Sequence, residues 1–237
     1  MKEERFFYDP ELSGSLPEEE VRHAVRVLRL REGDEIWLMD GHGTFHRAGV
    51  TVATNHALMY HIEESLPQQR QWQGHFHLAI APTKMTERME WMVEKCVEIG
   101  VDEISFLLCH NSERRDLRMD RLERIALSAV KQSRKAWMPR LNPMRPFGEV
   151  LRQADGAAFI CHCQEGERPL LSAQLAACRG QQSKYTVFIG PEGDFTEQEV
   201  EEAARCGCSG ASLGNSRLRT ETAGLVAVHL MQLFTQE

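Results

Sequence analysis

The sequence predicts an α/β protein with a small, mostly β first domain and a larger second domain built on a mostly parallel sheet. This class is predicted by the pattern of apolar residues in each of the two parts and by the segment between them. Strand-like runs dominate the first seventy residues, whereas from His75 onward apolar strands alternate with amphipathic helices, which is typical of parallel sheets. Between the two parts, the segment LPQQRQWQG is rich in glutamine and lacks periodicity, as linkers do. We therefore expect the domains to cover residues 1–72 and 73–237.

The composition is that of a globular protein that buries a core. Of the 237 residues, 42% are hydrophobic and 27% are charged, values that exclude disordered, collagen-like and low-complexity classes. No apolar run approaches the ~20 residues that a membrane helix needs. The start, MKEERFFYDP, has acidic residues where a signal peptide has a basic end and an apolar stretch. We therefore expect a cytoplasmic protein without membrane contact.

The first domain is predicted to contain one helix and then three strands. Pro17 followed by glutamates at 18–20 is typical of a helix start, and the helix is expected to reach about Leu30. Opposite its apolar positions lie three arginines that are expected on one face: Arg22, Arg26 and Arg29. Strands are then predicted for EIWLMD, for about 44–54 and for about 57–62.

In the second domain, predicted strands and helices alternate. The strand HFHLAIA precedes a helix over 84–100 whose apolar face is expected in the core and carries Met85, Met89, Met92, Val93, Cys96 and Val97. Gly100 is typical of a helix end, the strand EISFLLC comes next, and a basic helix follows over about 118–136. The remaining elements are the strand AAFICHC, a helix near 172–178, the strand YTVFIG, a helix over 197–206, a strand near 211–213 and a helix from about Glu221.

One basic segment lies within an otherwise acidic chain. The net charge is −7, yet residues 111–152 carry eleven Lys and Arg against five Asp and Glu, a net charge of +6. A local basic face can hold phosphates even when the whole protein repels nucleic acid at long range. A solvated helix with spare arginines explains the same composition, so charge alone leaves both interpretations open.

The seven cysteines are expected to be free thiols. An odd number in a chain without an export signal is typical of a reducing compartment. The two close pairs, Cys161 with Cys163 and Cys206 with Cys208, are C-x-C spacings, whereas a zinc knuckle usually has two residues between its cysteines. We therefore expect small core thiols and no metal site.

The loop GPEGDF follows the predicted strand YTVFIG, and ligands of parallel sheets bind beyond the carboxyl ends of strands. Thr196 and Glu199 form a T-x-x-E capping box that opens the next helix. The loop lacks both glycine-rich nucleotide motifs, and Glu192 and Asp194 put negative charge where a phosphate loop offers bare N–H donors. Such a loop suits a ligand with positive charge or hydroxyl groups, and a plain tight turn also explains it.

A second strand end, LGNSRLRTETA at 213–223, offers different groups. Gly214 allows a ligand to approach the backbone closely, and Thr220 or Thr222 can cap the last helix. The same segment carries two arginines and a carboxylate in the first helical turn: Arg217, Arg219 and Glu221. If the two strands are neighbours, these groups lie beside the GPEGDF loop. An ordinary turn with surface arginines explains the same residues equally well.

At this pair of motifs the sequence resembles the RsmE family of small-subunit ribosomal RNA uridine-N3 methyltransferases, within the SPOUT superfamily. Five further stretches resemble the family in order: RFF at 5–7, HAVRVLRLREGD at 23–34, KMTERMEWMVEKCVEIGVDEI at 84–104, SER at 112–114 and KQSRKAWMP at 131–139. The resemblance therefore covers nearly the whole chain, and its two C-terminal motifs are the specific part.

The resemblance implies a PUA-like β-barrel that binds RNA in the first domain and a SPOUT methyltransferase domain with a C-terminal trefoil knot in the second. It implies S-adenosylmethionine as methyl donor, 16S ribosomal RNA of the small ribosomal subunit as substrate, and a homodimer that acts in ribosome biogenesis. The family's donor-binding loops match ten positions here: Ile189, Gly190, Pro191, Glu192, Gly193, Leu213, Gly214, Leu218, Thr220 and Thr222. Two places depart from the family pattern, which usually has glycine at Asp194 and often Arg-Ile at Ser216-Arg217.

Methylation at uridine N3 requires the loss of a weakly acidic proton. We therefore expect a general base, for which Glu221 and Glu192 are candidates, and a cation beside the uracil oxygens, for which Arg219 is the candidate. The cationic sulfur of the donor agrees with the carboxylate of the GPEGDF loop. Much of the catalysis should come from holding nitrogen, methyl and sulfur in line.

N3 lies on the Watson–Crick edge of uracil, so the target base must be unpaired or turned out of its stack. The basic segment is then expected to track the RNA backbone, with a smaller contribution from the first helix. The candidate RNA-binding residues are Arg22, Arg26, Arg114, Arg115, Lys131, Arg134 and Lys135. Trp137 is expected to be a core residue at a helix end rather than a platform for base stacking.

Three other functions stay open at this point. They are a non-catalytic RNA-binding or assembly module on the same fold, a SPOUT methyltransferase with another RNA target, and a nucleotide-dependent oxidoreductase. The first would fail to bind S-adenosylmethionine, and the third lacks its phosphate loop. The last helix has apolar residues for a partner subunit or for its own sheet: Leu225, Val226, His229, Leu230, Leu233 and Phe234.

Overall fold

The computed structural model describes residues 5–235, and these fold as two units. The first unit runs to Gln71 and also includes Leu127–Met138, whereas the second comprises Trp72–Ala126 and the chain from Pro139 onward. The sequence pattern does not reveal that 127–138 belongs with the first unit, because this segment continues a helix that begins in the second.

The first unit contains a four-stranded sheet. Its elements are β1 (Phe6–Tyr8), α1 (Glu18–Arg22) continued by a π-helical turn (His23–Val27), β2 (Glu35–Met39), β3 (Thr44–Ala53) and β4 (Leu58–Pro67). The strand order is β1-β2-β3-β4, with β1 parallel to β2 and the other pairs antiparallel. The apolar residues of the strands and of α1 form one core, which includes Phe7, Val21, Ile36, Leu38 and Val50.

The first helix ends earlier than predicted. It reaches Val27 rather than Leu30, and Arg29 follows with a left-handed φ of 53°. The expectation that three arginines share one helix face is therefore wrong for Arg29, because its backbone has left the helix. Strand β4 is longer than predicted and runs to Pro67, so it includes the start of the glutamine-rich segment.

The segment 127–138 is held in the first unit by an ion pair and an aromatic contact. Lys131 Nζ lies 2.7 Å and 3.0 Å from the two carboxylate oxygens of buried Glu20. The half-buried Trp137 packs on Gly43 and has the guanidinium carbon of Arg70 5.4 Å from its ring centroid. Trp137 therefore lies against a turn of the first unit, and the expectation of a core tryptophan is wrong because its ring is only half covered.

The second unit is built on a six-stranded sheet, and the predicted parallel architecture is confirmed. Its elements are β5 (His75–Ile80), α2 (Thr86–Ile99), β6 (Glu103–Leu108), α3 (Met119–Gln132), β7 (Arg140–Pro146), α4 (Phe147–Leu151), β8 (Ala157–Cys161), α5 (Leu171–Cys178), β9 (Lys184–Ile189), α6 (Glu197–Arg205), β10 (Ser209–Ala211) and α7 (Thr220–Thr235). The strand order is β10-β8-β9-β5-β6-β7, and every neighbouring pair is parallel.

Strand β7 and helix α4 were not predicted from the sequence. Strand β7 has prolines at 143 and 146, and proline is excluded from central strands because it lacks the N–H that the ladder needs. Strand β7 lies at the edge of the sheet, where proline is tolerated. The two prolines therefore argue against a strand in the sequence, although they are compatible with an edge strand in the structure.

The apolar face of α2 is confirmed as core, with one exception. Met89, Met92, Val93, Cys96 and Val97 are buried. The expectation is wrong for Met85, which precedes the helix and is 49% exposed. Gly100 ends the helix with a φ of 119°, as its type predicted.

Helix α7 follows the edge strand β10 but packs over the centre of the sheet, on β5 and β9, and against α2 and α5. Gly224 permits this approach, since a Cβ there would lie 2.7 Å from Cδ1 of Ile80. Because Ile80 is the last residue of β5, the first turns of α7 lie beside the carboxyl end of that strand.

All seven cysteines are free, as predicted. The expectation of core thiols is wrong for two of them, Cys163 and Cys206, which are exposed. Burial raises the pKa of the Cys161 thiol to about 12, so this side chain is protonated and is not a nucleophile. Within residues 5–235, no three His, Cys, Asp or Glu side chains gather as metal ligands. Over the same range, none of the helices has the length and apolarity to cross a bilayer.

We predict that Gly156→Ala destabilises the protein more than Gly180→Ala. Both glycines are left-handed, with φ of 76° and 72°, which costs alanine about 1–2 kcal/mol at either position. A Cβ at 156 would also collide with the carbonyl oxygen of Lys184, whereas no described atom lies within 4 Å at 180. The collision should add about 1–3 kcal/mol. Urea unfolding of both variants measures the difference, and equal stabilities would contradict it.

Candidate active site

Because the strands of the second unit are parallel, the loops that follow them lie along one edge of the sheet. Five of these loops, each named after the strand it follows, form what we call the rim. They are the β5 loop (81–85), the β6 loop (109–118), the β8 loop (162–170), the β9 loop (190–196) and the β10 loop (212–219). Ligands of open parallel sheets bind at this edge.

The backbone of the β9 loop is held by hydrogen bonds and close packing. Its predicted capping box is confirmed, since Thr196 accepts the N–H of Glu199 and the Glu199 carboxylate accepts the N–H of Thr196. Gly190 packs closely on Phe195, since a Cβ at this position would lie only 3.0 Å from the ring. The loop therefore closes tightly between β9 and α6.

The β9 loop is bound to the β6 and β5 loops on one side. The side-chain amide of Asn111 donates to two carbonyls of the β9 loop, each at 3.1 Å. Glu192 Oε2 accepts the backbone N–H of Lys84 at 3.1 Å. Arg114 donates from Nε and Nη2 to the carbonyl of Lys84. One side chain of the GPEGDF motif thus already bonds to a neighbouring loop.

On its other side, the β9 loop is bound to the β8 loop through Asp194. This residue has a left-handed φ of 60°, and its N–H donates to the carbonyl of Pro191. Its Oδ2 accepts the backbone N–H of Cys163 at 2.8 Å. The backbone conformation explains why glycine suits this position, and the carboxylate gives the aspartate a bond that glycine cannot make.

The β10 loop is joined to the β8 loop. The N–H of Ser212 donates to Pro169 at 2.9 Å, and its carbonyl accepts from Leu171 at 2.8 Å. The condition that the two motif strands are neighbours is not met, because β8 lies between β9 and β10. Gly214 has a φ of 116°, and no atom of the described residues lies within 4 Å of a Cβ placed there. Its backbone is therefore open to a ligand.

The last helix begins one residue earlier than predicted. Helix α7 starts at Thr220, and the carbonyl of Arg219 accepts the N–H of Ala223 at 2.8 Å. The expectation that Thr220 or Thr222 caps this helix is therefore wrong, because Arg219 occupies the cap position. The side chain of Arg219 is exposed.

Glu221 carries a buried carboxylate with one unpartnered oxygen. The residue is 6% exposed, and its Oε1 lies 3.3 Å from Nη1 of Arg88 in the first turn of α2. Its Oε2 has no hydrogen-bond partner among residues 5–235. A buried carboxylate oxygen without a partner costs free energy, so it indicates a group that the protein itself does not supply.

The GPEGDF loop and the first turn of α7 both bond to the region around the start of α2, although β9 and β10 are not adjacent. Glu192 bonds to Lys84 just before α2, and Glu221 pairs with Arg88 four residues later. One carboxylate therefore bonds just before α2 and the other within its first turn.

The ten positions that the resemblance implies for the donor are spread over the β9 and β10 loops, the end of β9 and the start of α7. Ile189, Gly190, Pro191 and Thr220 are buried, Leu213, Leu218 and Thr222 are half-buried, and Glu192, Gly193 and Gly214 are exposed. The positions at 189–193 and those at 213–222 lie at the same edge of the sheet, with the β8 loop between them.

The candidate RNA-binding residues differ in their surroundings. Four are exposed: Arg22, Arg26, Arg115 and Arg134. The guanidinium of Arg134 also lies over the ring of Phe6, 5.4 Å from its centroid. Three are half-buried: Arg114, Lys131 and Lys135. Arg114 donates to the carbonyl of Lys84, and Lys131 donates to the carboxylate of Glu20. Lys131 is bonded to Glu20, so it offers little charge to a phosphate.

Several residues of the rim were missed by the sequence patterns. Arg88 lies in the stretch 84–104 that resembles the family, and this was its only signal. Asn111 bonds to Gly193 of the β9 loop, 82 residues away in the sequence. The N–H of Cys163 bonds to Asp194 of the same loop, 31 residues away. No local periodicity or motif could have identified them.

We predict a graded loss of stability for substitutions at Asp194. Asparagine keeps an acceptor for Cys163 and tolerates the left-handed backbone, so it should lose least. Glycine suits the backbone but loses the bond, and alanine loses the bond and adds a strain of about 1–2 kcal/mol. Thermal unfolding of the three variants measures the order, with Glu165→Ala at an exposed position of the β8 loop as control. An alanine variant as stable as the asparagine variant would contradict this account.

Two family models match the chain. The model described as an RNA methyltransferase domain matches residues 70–232, and the model described as an RNA methyltransferase PUA domain matches residues 16–58. The first match contains the whole rim, and the second lies within the first unit.

Solved and curated proteins are similar over nearly the full length. A probable rRNA-methyltransferase from Porphyromonas gingivalis is 41% identical, with a TM-score of 0.87, over 96% of this chain and 98% of that chain. Ribosomal RNA small subunit methyltransferase E from Neisseria gonorrhoeae, solved with bound S-adenosyl methionine, is 30% identical, with a TM-score of 0.85, over 97% of both chains. The protein of the same name from Bacillus subtilis is 27% identical over 94% of this chain and 90% of that protein.

The methyltransferase model spans well over half of the chain, and two solved relatives reach 30% identity over almost all of it. The chain therefore belongs to the RsmE family of RNA methyltransferases.

Proposed function

We propose that this protein uses S-adenosylmethionine to methylate N3 of a uridine in the 16S ribosomal RNA of the small subunit. Family membership supports the reaction class, and the Neisseria gonorrhoeae relative is described as bound to S-adenosyl methionine. The observation in this chain that carries the proposal is the buried Glu221 carboxylate, whose Oε2 has no partner among the described residues.

The residues of the rim fit a cationic donor. S-adenosylmethionine, when bound, supplies an electrophilic methyl group on a positively charged sulfur. Glu192 and Glu221 place carboxylates at both motif loops, and the open backbone of Gly214 leaves room for a ligand. A phosphate-binding loop would instead direct bare N–H groups at its ligand. We therefore assign the donor to the β9 and β10 loops and to the ten positions named above.

Glu221 suits the role of general base better than Glu192. Glu192 is exposed, and its Oε2 already accepts an N–H from Lys84. Glu221 is buried, and its Oε2 remains available to take the proton from N3. Arg88 contacts the other oxygen and so fixes the orientation of the carboxylate. We assign Arg88 as a positioning residue.

Arg219 is the proposed cation beside the uracil oxygens. It precedes α7 and is exposed at the rim, next in sequence to the buried start of the helix that carries Glu221. Negative charge develops on the uracil oxygens when N3 loses its proton, and a guanidinium stabilises that charge. The base and the cation would then act from the same turn of chain.

We propose residues 1–72 as a PUA-like RNA-binding barrel and residues 73–237 as a methyltransferase domain with a C-terminal trefoil knot. The return of the chain from edge strand β10 to the centre of the sheet through α7 supports a knotted path. The exposed Leu233 of α7, 55% accessible, supports a homodimer that uses this helix. A ribosomal RNA substrate supports a cytoplasmic location.

We predict that Glu221→Gln lowers kcat by about 10²–10⁴-fold, because a general base typically contributes that much. The same change at exposed Glu201 on α6 should leave kcat unchanged. The measurement is transfer of a labelled methyl group to 16S ribosomal RNA by the purified proteins.

The same pair of variants tests the substrate in cells. Mass mapping of 16S nucleosides should show loss of one N3-methyluridine in cells without the protein, restored by Glu201→Gln but not by Glu221→Gln. A Glu221→Gln enzyme within about tenfold of the wild-type rate would remove Glu221 as the base. An unchanged nucleoside map in cells without the protein would reject the proposed substrate.

We predict that Arg26→Gln combined with Arg115→Gln weakens RNA binding and flattens its salt dependence. Both side chains are exposed, so they can hold phosphates. Each lost phosphate contact should reduce the slope of log affinity against log salt by about 0.7 for a single strand. The double variant Arg152→Gln, Arg205→Gln removes the same charge from exposed positions at the ends of α4 and α6 and serves as control. An unchanged slope would return the two arginines to ordinary solvated residues.

A further inference from the structure

The β8 loop holds two buried nitrogen atoms that have no hydrogen-bond partner in the described part of the chain. Among residues 5–235, four buried side-chain polar atoms lack a hydrogen-bond partner. Two of them are Nδ1 of His162 and Nε of Arg168, both in the β8 loop, and a third is Oε2 of Glu221. Native proteins rarely leave such groups unpaired, so three orphan atoms along one rim indicate a ligand with complementary groups.

His162 and Arg168 lie side by side over β10. A Cβ added to Gly210 would lie 3.6 Å from Nε2 of His162 and 3.7 Å from Cδ of Arg168. The Nη1 atom of Arg168 donates to the carbonyl of Gln164 at 2.6 Å, which orients the guanidinium and leaves Nε unused. The two side chains that carry the unpartnered nitrogens therefore form one small cluster.

The charge of this cluster suits an anion. Burial lowers the pKa of His162, and the positive charge of Arg168 lowers it further, partly offset by Asp194. His162 is thus a neutral imidazole beside a permanent cation at neutral pH. In the tautomer with the proton on Nδ1, the histidine and the arginine each present one N–H donor. Two donors, one of them charged, are what a carboxylate accepts best.

The β8 loop lies between the two loops that we assign to the methyl donor. The N–H of Cys163 bonds to Asp194 of the β9 loop, and the carbonyl of Pro169 bonds to Ser212 of the β10 loop. His162 immediately precedes the first of these bonded residues, and Arg168 immediately precedes the second. The cluster therefore belongs to the loop that joins the two motif loops.

We infer that His162 and Arg168 form the subsite for the α-carboxylate at the amino-acid end of S-adenosylmethionine. The inference rests on the proposed function and adds a recognition site that the two C-terminal motifs do not contain. A small carboxylate suits the site better than an RNA phosphate, because both nitrogen atoms are enclosed and a polymer backbone approaches from outside. The cluster would thus distinguish a complete donor from one that lacks its amino-acid end.

Calorimetry with two ligands tests this subsite. The ligands are S-adenosylmethionine and 5′-methylthioadenosine, which lacks the amino-acid end. Arg168→Gln should weaken S-adenosylmethionine binding by about 10- to 100-fold, as expected for a lost charge-assisted bond, and leave 5′-methylthioadenosine binding unchanged. His162→Asn should show the same selectivity with a smaller loss. Arg205→Gln, an equal change of charge at the exposed end of α6, should affect neither ligand.

Retained binding of 5′-methylthioadenosine also shows that the Arg168→Gln protein is folded at the rim. Equal losses for both ligands, or no loss for either, would overturn the subsite. A loss confined to binding of an RNA oligonucleotide would also overturn it and assign the cluster to a phosphate. Failure of the wild-type protein to bind either ligand would reject the proposed function itself, whatever the variants do.

Discussion

The parallel alignment of the strands in the second unit is the constraint on which the candidate site depends. Since all the strands point the same way, the loops after β5, β6, β8, β9 and β10 must share one edge. Backbone groups of one loop can then form hydrogen bonds with side chains of the next loop. Asn111 donates to a carbonyl of the β9 loop, and Asp194 accepts an N–H of the β8 loop. A site between strands that are not adjacent becomes possible because β8 supplies the loop that connects them.

Glu221 shows how the fold holds a charged group at this edge. A carboxylate that is 6% exposed is costly unless it is paired, and Arg88 supplies the pair. Helix α7 reaches Arg88 only because Gly224 lets it pack closely on Ile80. The second oxygen has no partner among residues 5–235, which is a cost that a bound substrate or donor can offset. Packing far from the reacting atoms therefore determines where the reactive oxygen lies.

Asp194 stands where the resemblance predicts glycine, and the structure explains how an aspartate fits there. The position requires a left-handed backbone, which glycine adopts without strain and aspartate tolerates. In exchange, the aspartate bonds the β9 loop to the β8 loop through Cys163. The same bond brings the β8 loop, with His162 and Arg168, against the motif loop. Aspartate at this position thus adds a hydrogen bond between two loops of the rim that glycine could not make.

Local patterns determined most of the secondary structure and the two motif loops. Short apolar runs between amphipathic helices predicted the strands β5, β6, β8 and β9. The capping box predicted the start of α6, and helical periodicity predicted the buried face of α2. Each of these depends on residues within about a dozen positions, where pattern and propensity act. Tertiary structure alone decided the strand order, the pairing of Lys131 with Glu20, and the contact of Arg88 with Glu221. Such contacts join residues more than a hundred positions apart, and their energies depend on packing that leaves no periodic signal in the sequence.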